Sequence, residues 1–337
     1  MATLIELRGL TVELPTPSGW IRPVDDVSFT LETGESLGLV GESGSGKSML
    51  ALALMGLLPP GARVCGEAWL AGANGPAASR VNLLALPERE RVATRGRDVA
   101  MIFQEPMTAL NPVMRVGSQI AEAIRAHRAG LTREEVDRRV LAALQRAAVP
   151  EPALRARQYP HQLSGGLRQR AMIAMALAGG ASSPRLLIAD EPTTALDVTV
   201  QKQILDLLAL LRRDLGLTLL FITHDLGVVA QVADRIAVTY AGRIVEEGPA
   251  REVLERPRHP YTAGLLRASP QLVRQKLEPI PGTVPSLTAL PSGCAFEPRC
   301  SLRRAECADA MPDLRLAGPR HRARCILIEN ILEETTR

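Results

Sequence analysis

The sequence predicts an α/β protein built on a mostly parallel sheet, with a C-terminal extension of different texture. Three observations carry that prediction. Strand and helix patterns alternate between residues 185 and 240, as they do when helices cross over between parallel strands. A glycine-rich turn joins the short apolar strand Ser36-Leu37-Gly38-Leu39-Val40 to an alanine- and leucine-rich helix. Past residue 255 the periodicity is lost and prolines recur through position 298.

Taken in order, residues 3–14 and 25–33 alternate enough to predict antiparallel strands. The helix after the turn runs from Ser48 to Leu58 and stops before Pro59-Pro60-Gly61. Val99 to Phe103 is a strand, and Pro106 with Asn111-Pro112 then breaks the chain. Residues 114–157 read as helical, with a net basic face that is solvated or turned to a partner. There follow a helix over Leu167–Ala178, a strand over Arg185–Ala189, a helix over Val198–Leu215 and a strand over Thr218–Thr223. A helix over Leu226–Ala233 and a strand over Arg235–Tyr240 complete the pattern, which contains no internal repeat.

With 337 residues, 46% hydrophobic and 23% charged, the chain can bury a sizeable core, and disorder is excluded. Aromatics at 3% leave Ala, Leu and Val to fill it. The longest apolar runs, such as Met49 to Leu58 and Leu217 to Ile222, fall short of the roughly 18–20 residues that cross a bilayer. The opening MATLIELRGL has no signal-peptide pattern, so a cytosolic chain is expected. A net charge of +4 permits an acidic partner or a membrane surface without indicating nucleic acid.

Gly41-Glu42-Ser43-Gly44-Ser45-Gly46-Lys47-Ser48 fits the phosphate-loop pattern G-x-x-x-x-G-K-[ST] in its required setting, between strand and helix. Glycines let successive backbone N–H groups turn toward a β-phosphate, and the helix N-terminus adds its positive end. Lys47 supplies charge to the β and γ oxygens, and the Ser48 hydroxyl suits Mg²⁺. ATP and Mg²⁺ are the expected ligands. Farther on, Leu186-Leu187-Ile188-Ala189-Asp190-Glu191 is an apolar strand ending in two acids, at the end of a parallel strand where ligands are met. Asp190 is expected to hold Mg²⁺. Glu191 is placed to orient and deprotonate the attacking water.

Leu163-Ser164-Gly165-Gly166 at a helix start is, in isolation, an ordinary Ser cap with glycines. In this company it resembles the signature motif of ATP-binding cassette (ABC) ATPases, in which one subunit's signature closes on the nucleotide held by the other. The resemblance implies a P-loop NTPase cassette with a RecA-like core, an antiparallel β-subdomain and a helical subdomain. It divides the chain into a nucleotide-binding core of residues 1–104 and 165–254, a helical subdomain of 105–164 and an extension of 255–337. Ser164, Gly165 and Gly166 would then serve a partner's nucleotide, and Leu167 stands where many relatives carry glutamine. Gln104, after Met101-Ile102-Phe103, resembles the Q-loop glutamine that contacts Mg²⁺ and water. Ala195-Leu196-Asp197 resembles the D-loop, and His224 the switch histidine that bonds the γ-phosphate. Trp20 is the candidate adenine platform, with a core or surface role as its alternative.

The stretches Glu42–Ser48, Phe103–Pro112, His259-Pro260-Tyr261-Thr262 and Ile280-Pro281-Gly282 are similar to the ATPase subunits of bacterial oligopeptide, dipeptide and nickel importers. That implies a second, different ATPase as partner, two membrane permeases, a separate solute-binding protein and a site on the cytoplasmic face of the membrane. The alternative is a non-transport cassette ATPase acting on nucleic acid or the ribosome. Only about 60 residues without sustained heptads separate Gln104 from Leu163, too little for the long coiled coil of chromosome-type relatives.

Cys294, Cys300, Cys307 and Cys325 are separated by five, six and seventeen intervening residues in the extension. Four thiolates suit zinc or an iron–sulfur cluster; close C-x₂₋₄-C pairs typical of structural zinc are absent. Some members of the resembled subgroup carry a [4Fe–4S] centre at a similar pattern, so a cluster fastening the tail is expected, with Arg299, Arg303, Arg304, Arg322 and Arg324 offsetting its charge. Free or disulfide-paired cysteines are the other reading. Cys65 is expected to be unrelated and structural.

Overall fold

A computed structural model describes residues 2–72, 80–180, 183–270 and 278–328; residues 271–277 and 329–337 of the expected extension lie outside the described residues. The chain divides into two compact units, one of Met1–Leu4, Glu32–Glu35 and Leu86–Leu220, the other of Ile5–Leu31, Ser36–Ala85 and Phe221–Arg337.

In the first unit the fully buried strand Leu186–Asp190 pairs in parallel with Val99–Ile102. The predicted helical run 114–157 is three helices, Val116–His127, Arg133–Arg146 and Pro152–Arg155. Local chemistry cuts it. Thr132 and Glu135 cap one another reciprocally at the start of the second helix, and Pro152 sits at N1 of the third, after Glu151 at φ 49°. Val116, Ile120 and Ile124 form a buried stripe on the first helix, and Val136, Val140, Ala143 and Leu144 one on the second. Both pack against Gly165–Ala178. Val198–Leu215 buries Ile204, Leu208 and Leu211, and Asp197 caps it by accepting from Val200 N at 2.9 Å.

The second unit contains a four-stranded sheet in the order Gly19–Glu32, Thr3–Thr16, Arg63–Leu70, Val81–Asn82, with Thr3–Thr16 antiparallel to Arg63–Leu70. The two N-terminal strands are longer than the alternation predicts. Its second set of strands runs in the order Arg315–Gly318, His321–Ala323, Arg243–Pro249, Arg235–Tyr240, Ser36–Val40, parallel only in the last pair. The helix Leu226–Val232 lies on Ser36–Val40 so closely that a Cβ on Gly38 would meet Val229 Cγ1 at 2.6 Å.

Past 255, where irregular structure is expected, the described residues 278–314 hold no strand or α-helix, while the helix Pro260–Arg267 and one hairpin are regular. The hairpin Arg315–Ala323 extends the sheet edge through Arg243–Pro249. Two neighbouring buried carboxylates fasten it. Glu246 accepts from Arg258 N at 2.7 Å and His259 N at 2.9 Å, and lies 2.7 Å from His321 Nε2. Glu247 pairs with Arg235 and with Arg322 of the hairpin. The short helix Pro260–Arg267 follows, begun by His259, whose Nδ1 accepts from Tyr261 N at 3.1 Å.

Candidate active site

The phosphate loop follows the buried strand Ser36–Val40 and gives way to the helix Lys47–Met55, with Gly46 at its N-cap. Gly46 has φ 94°, and a Cβ there would fall 1.7 Å from the carbonyl oxygen of Pro23; no other residue fits. Lys47 is buried and bent back over the loop. Its Nζ donates to the carbonyls of Gly41 at 2.7 Å and Glu42 at 2.9 Å and to Ser45 Oγ at 3.2 Å. Ser45 Oγ lies 3.1 Å from Thr239 Oγ1, which donates to Val40 O at 3.1 Å. The loop is therefore anchored to the neighbouring strand and centred on one ammonium, an arrangement that suits a polyphosphate.

Glu42 has partners that sequence reasoning missed. Its N–H donates to the hydroxyl of Tyr261 at 2.9 Å, and its carboxylate takes Nη1 and Nη2 of Arg299 at 2.7 and 3.1 Å. Arg299 was expected to offset the charge of a metal cluster; its guanidinium is instead committed to the loop. Arg322 likewise serves Glu247, and Arg324 donates to the carbonyls of Ile244 and Pro312.

The first unit holds the carboxylate end. Asp190 closes the strand Leu186–Asp190 and is 3% exposed. Glu191 follows at φ 45°, a left-handed conformation that turns its side chain off the strand direction. Its Oε2 accepts from Gln104 Nε2 at 3.2 Å and Thr194 Oγ1 at 2.8 Å. Gln104 and Glu191 are thus brought together. Thr194 was not singled out. Gln104 and Thr194 also line a cavity of about 470 Å³ with Met107, Gly165, Arg168 and Leu196. Ser164 caps the helix Gly165–Ala178, accepting from Leu167 N at 3.4 Å. Gly166 lies against Val200, where a Cβ would meet Cγ1 at 2.7 Å. A hydroxyl, a carboxamide oxygen and a carboxylate, as on Ser48, Gln104 and Asp190, are the donor types a hard cation takes.

His224 is exposed just past the strand Thr218–Thr223. Trp20 is 44% exposed with the guanidinium of Arg63 over its ring at 3.9 Å, a cation–π stack. Cys65 is exposed, on the strand Arg63–Leu70. The thiols of Cys294, Cys300, Cys307 and Cys325 interact electrostatically with one another, and Cys294 N donates to Cys307 O at 2.8 Å. Burial pushes Cys300 and Cys325 up to about 11 and raises Cys294. Among the described residues no group of three or more His, Cys, Asp or Glu is arranged to hold a metal ion.

A phosphate loop on a parallel strand, a second strand ending in Asp-Glu, and a serine-capped helix define a P-loop ATPase cassette. Residues 24–194 match the ABC transporter family and residues 245–307 the oligopeptide/dipeptide transporter C-terminal region. The chain belongs to the ABC transporter family and is an ATPase of that family. It is 49% identical to the oligopeptide transport ATP-binding protein OppD of Salmonella typhimurium over 92% of this chain and 89% of that one. It is 49% identical to a Brucella ovis protein named for peptide import and ATP binding, over 97% of this chain and 98% of the relative. A dimeric bacterial ABC transporter cassette, 28% identical, superposes with a TM-score of 0.63 over 74% of this chain and 99% of its own. The same values hold for that cassette in a post-hydrolysis state with ADP and Pi. Among the described residues no helix is long and apolar enough to cross a membrane.

Proposed function

We propose that this chain is the ATP-hydrolysing subunit of a peptide importer, working as one of two cassettes beneath membrane permeases that receive cargo from a solute-binding protein. The observation that carries the reading is the union, in one chain, of the cassette match over 24–194 with the oligopeptide/dipeptide transporter match over 245–307.

In this reading the amides of Gly41 to Ser48 and the Lys47 ammonium hold the ATP phosphates, and Lys47 exchanges its loop carbonyls for phosphate oxygens. Ser48, Asp190 and Gln104 would hold Mg²⁺, which would supply positive charge to the phosphates. Glu191 takes the proton of the attacking water, held in place by Gln104 and Thr194. His224 bonds the γ-phosphate, Trp20 stacks on adenine after yielding its Arg63 contact, and Ser164, Gly165 and Gly166 close on the partner's nucleotide. Affinity purification from membranes, with identification of the chains that come along, tests the assignment. Permeases and a solute-binding protein support it; nucleic acid retained in a salt-sensitive manner would transfer the chain to the non-transport alternative.

The iron–sulfur reading of Cys294, Cys300, Cys307 and Cys325, with zinc as its alternative, rests on their spacing and on the mutual reach of the thiols. No step of hydrolysis runs through it. Iron, sulfide and zinc analysis after anaerobic purification decides it: metal-free protein of normal stability ends both versions, and stoichiometric zinc ends the iron one.

A further inference from the structure

Glu42, the second residue of the phosphate loop, is held at all three of its polar points. Its N–H donates to Tyr261 at 2.9 Å, its carbonyl accepts from Lys47 Nζ at 2.9 Å, and its carboxylate takes the guanidinium fork of Arg299 at 2.7 and 3.1 Å. Two of these holders come from far along the chain, 219 and 257 residues away. Arg299 is itself fixed. Its Nε donates to Pro281 O at 2.9 Å and its Nη1 lies 3.4 Å from the Tyr240 hydroxyl. Around it, Tyr240 packs on Tyr261 and Phe296 with ring centroids 4.6 and 5.3 Å apart. The Arg299 side chain is 5% exposed and that of Glu42 is 31% exposed, so the pair sits at the boundary where screening by water is incomplete.

A carboxylate in a loop that binds polyphosphate opposes its ligand unless it is neutralised and turned aside. A bidentate arginine does both, fixing direction as well as charge. We propose that Arg299, supplied by the C-terminal extension, is a positioning residue of the nucleotide site: it acts through Glu42 to set the phosphate loop and remove a competing negative charge. The extension thereby contributes to ATP affinity. This inference rests on the reading of Gly41 to Ser48 as the ATP-binding loop.

The test uses the full chain, with Mg-ATP binding by calorimetry and steady-state hydrolysis at one fixed protein concentration. Arg299→Met is expected to raise Kd and KM for ATP about tenfold while kcat changes by less than about twofold. The penalty shrinks as salt rises from roughly 0.05 to 0.5 M, because repulsion between Glu42 and phosphate is screened. Arg299→Lys keeps the charge without the fork and costs about threefold. Adding Glu42→Gln to Arg299→Met brings Kd back to within about threefold of the parent, which a merely structural loss would not allow. If Arg299→Met does not fold, the lysine variant and the double variant carry the comparison. Unchanged affinity in Arg299→Met, or a double variant as weak as the single, overturns the inference. Lys47→Ala separates the two levels: if it binds ATP as the parent does, the loop reading fails and the inference with it, whereas lost binding in Lys47→Ala beside normal binding in Arg299→Met removes the inference alone.

Discussion

Gln104 donates its side-chain amide to Glu191 at 3.2 Å, onto the same oxygen that Thr194 reaches at 2.8 Å. One carboxylate oxygen with two fixed donors sets the plane of the group, which is what a general base needs before substrate arrives. Glu191→Gln is therefore expected to bind ATP normally and to lose turnover by about 10² to 10⁴. Thr194→Ala, which removes about 1 kcal/mol of orienting hydrogen bond, lowers kcat about fivefold with KM unchanged. Single-turnover hydrolysis beside equilibrium ATP binding checks both.

Two glycines of the phosphate loop separate strain from collision. Gly44 has φ 80° with nothing within 4 Å of its missing Cβ, whereas at Gly46, φ 94°, the Pro23 carbonyl stands 1.7 Å away. Gly44→Ala meets only the backbone cost, about 1–2 kcal/mol. Gly46→Ala must also displace a neighbouring strand and is expected to lose more than about 3 kcal/mol. Urea unfolding midpoints of the two variants measure the difference.

His259 gives the fold a defined acid limit. Burial holds its imidazole neutral, at a pKa of about 3 rather than 6.5. Facing it are Arg324, whose backbone hydrogen bond favours the charged ring while its guanidinium opposes it, the ring of Phe296, and Glu246, which accepts from its backbone N–H. The unfolded chain binds this proton more readily than the folded one, so the stabilisation is complete above about pH 6.5 and is lost as pH falls from there toward 3. The slope from this one group is at most about 1.4 kcal/mol per pH unit. Urea midpoints at several pH values should fall across that window, and His259→Asn, which keeps an acceptor for Tyr261 N, should flatten the slope.

Glu246 holds two backbone N–H groups and His321 with no surface exposed. Glu246→Ala strands buried donors at about 1–3 kcal/mol each, for an expected loss of about 3 kcal/mol or more. Hydrogen exchange should then rise first at Arg322 and Ala323, which pair with this strand. Uniform loss of protection across the molecule would contradict that local role.

Much of the core was legible because its signals are local. The strands Ser36–Val40, Thr218–Thr223 and Arg235–Tyr240 and the helix Val198–Leu215 fall on the residues that apolar runs and caps indicate. The phosphate loop and the Asp190-Glu191 strand end were legible for the same reason, whereas the bond from Gln104 to Glu191 appears only in the structure. The hairpin Arg315–Ala323 was not. Its strands of four and three residues carry no period, and they exist because Arg243–Pro249 offers an edge and Glu246 and Glu247 offer charge. The bond from Arg299 to Glu42 spans 257 residues, and nothing near either residue announces the other. Proximity to cysteines in sequence pointed Arg299 toward a cluster, and burial beside Tyr240 and Phe296 directed it to the loop.

The hairpin also bears on how the protein is made. Arg322 joins Glu247 across 75 residues of chain, so during synthesis at about 5–20 residues per second the strand Arg243–Pro249 waits several seconds with one side unpaired. A bare edge invites pairing with the same strand of a neighbouring nascent chain. Here it carries adjacent carboxylates, Glu246 and Glu247, which repel their own copies and accept only a late-arriving segment bearing His321 and Arg322. The charge that fastens the finished edge thus guards it on the ribosome.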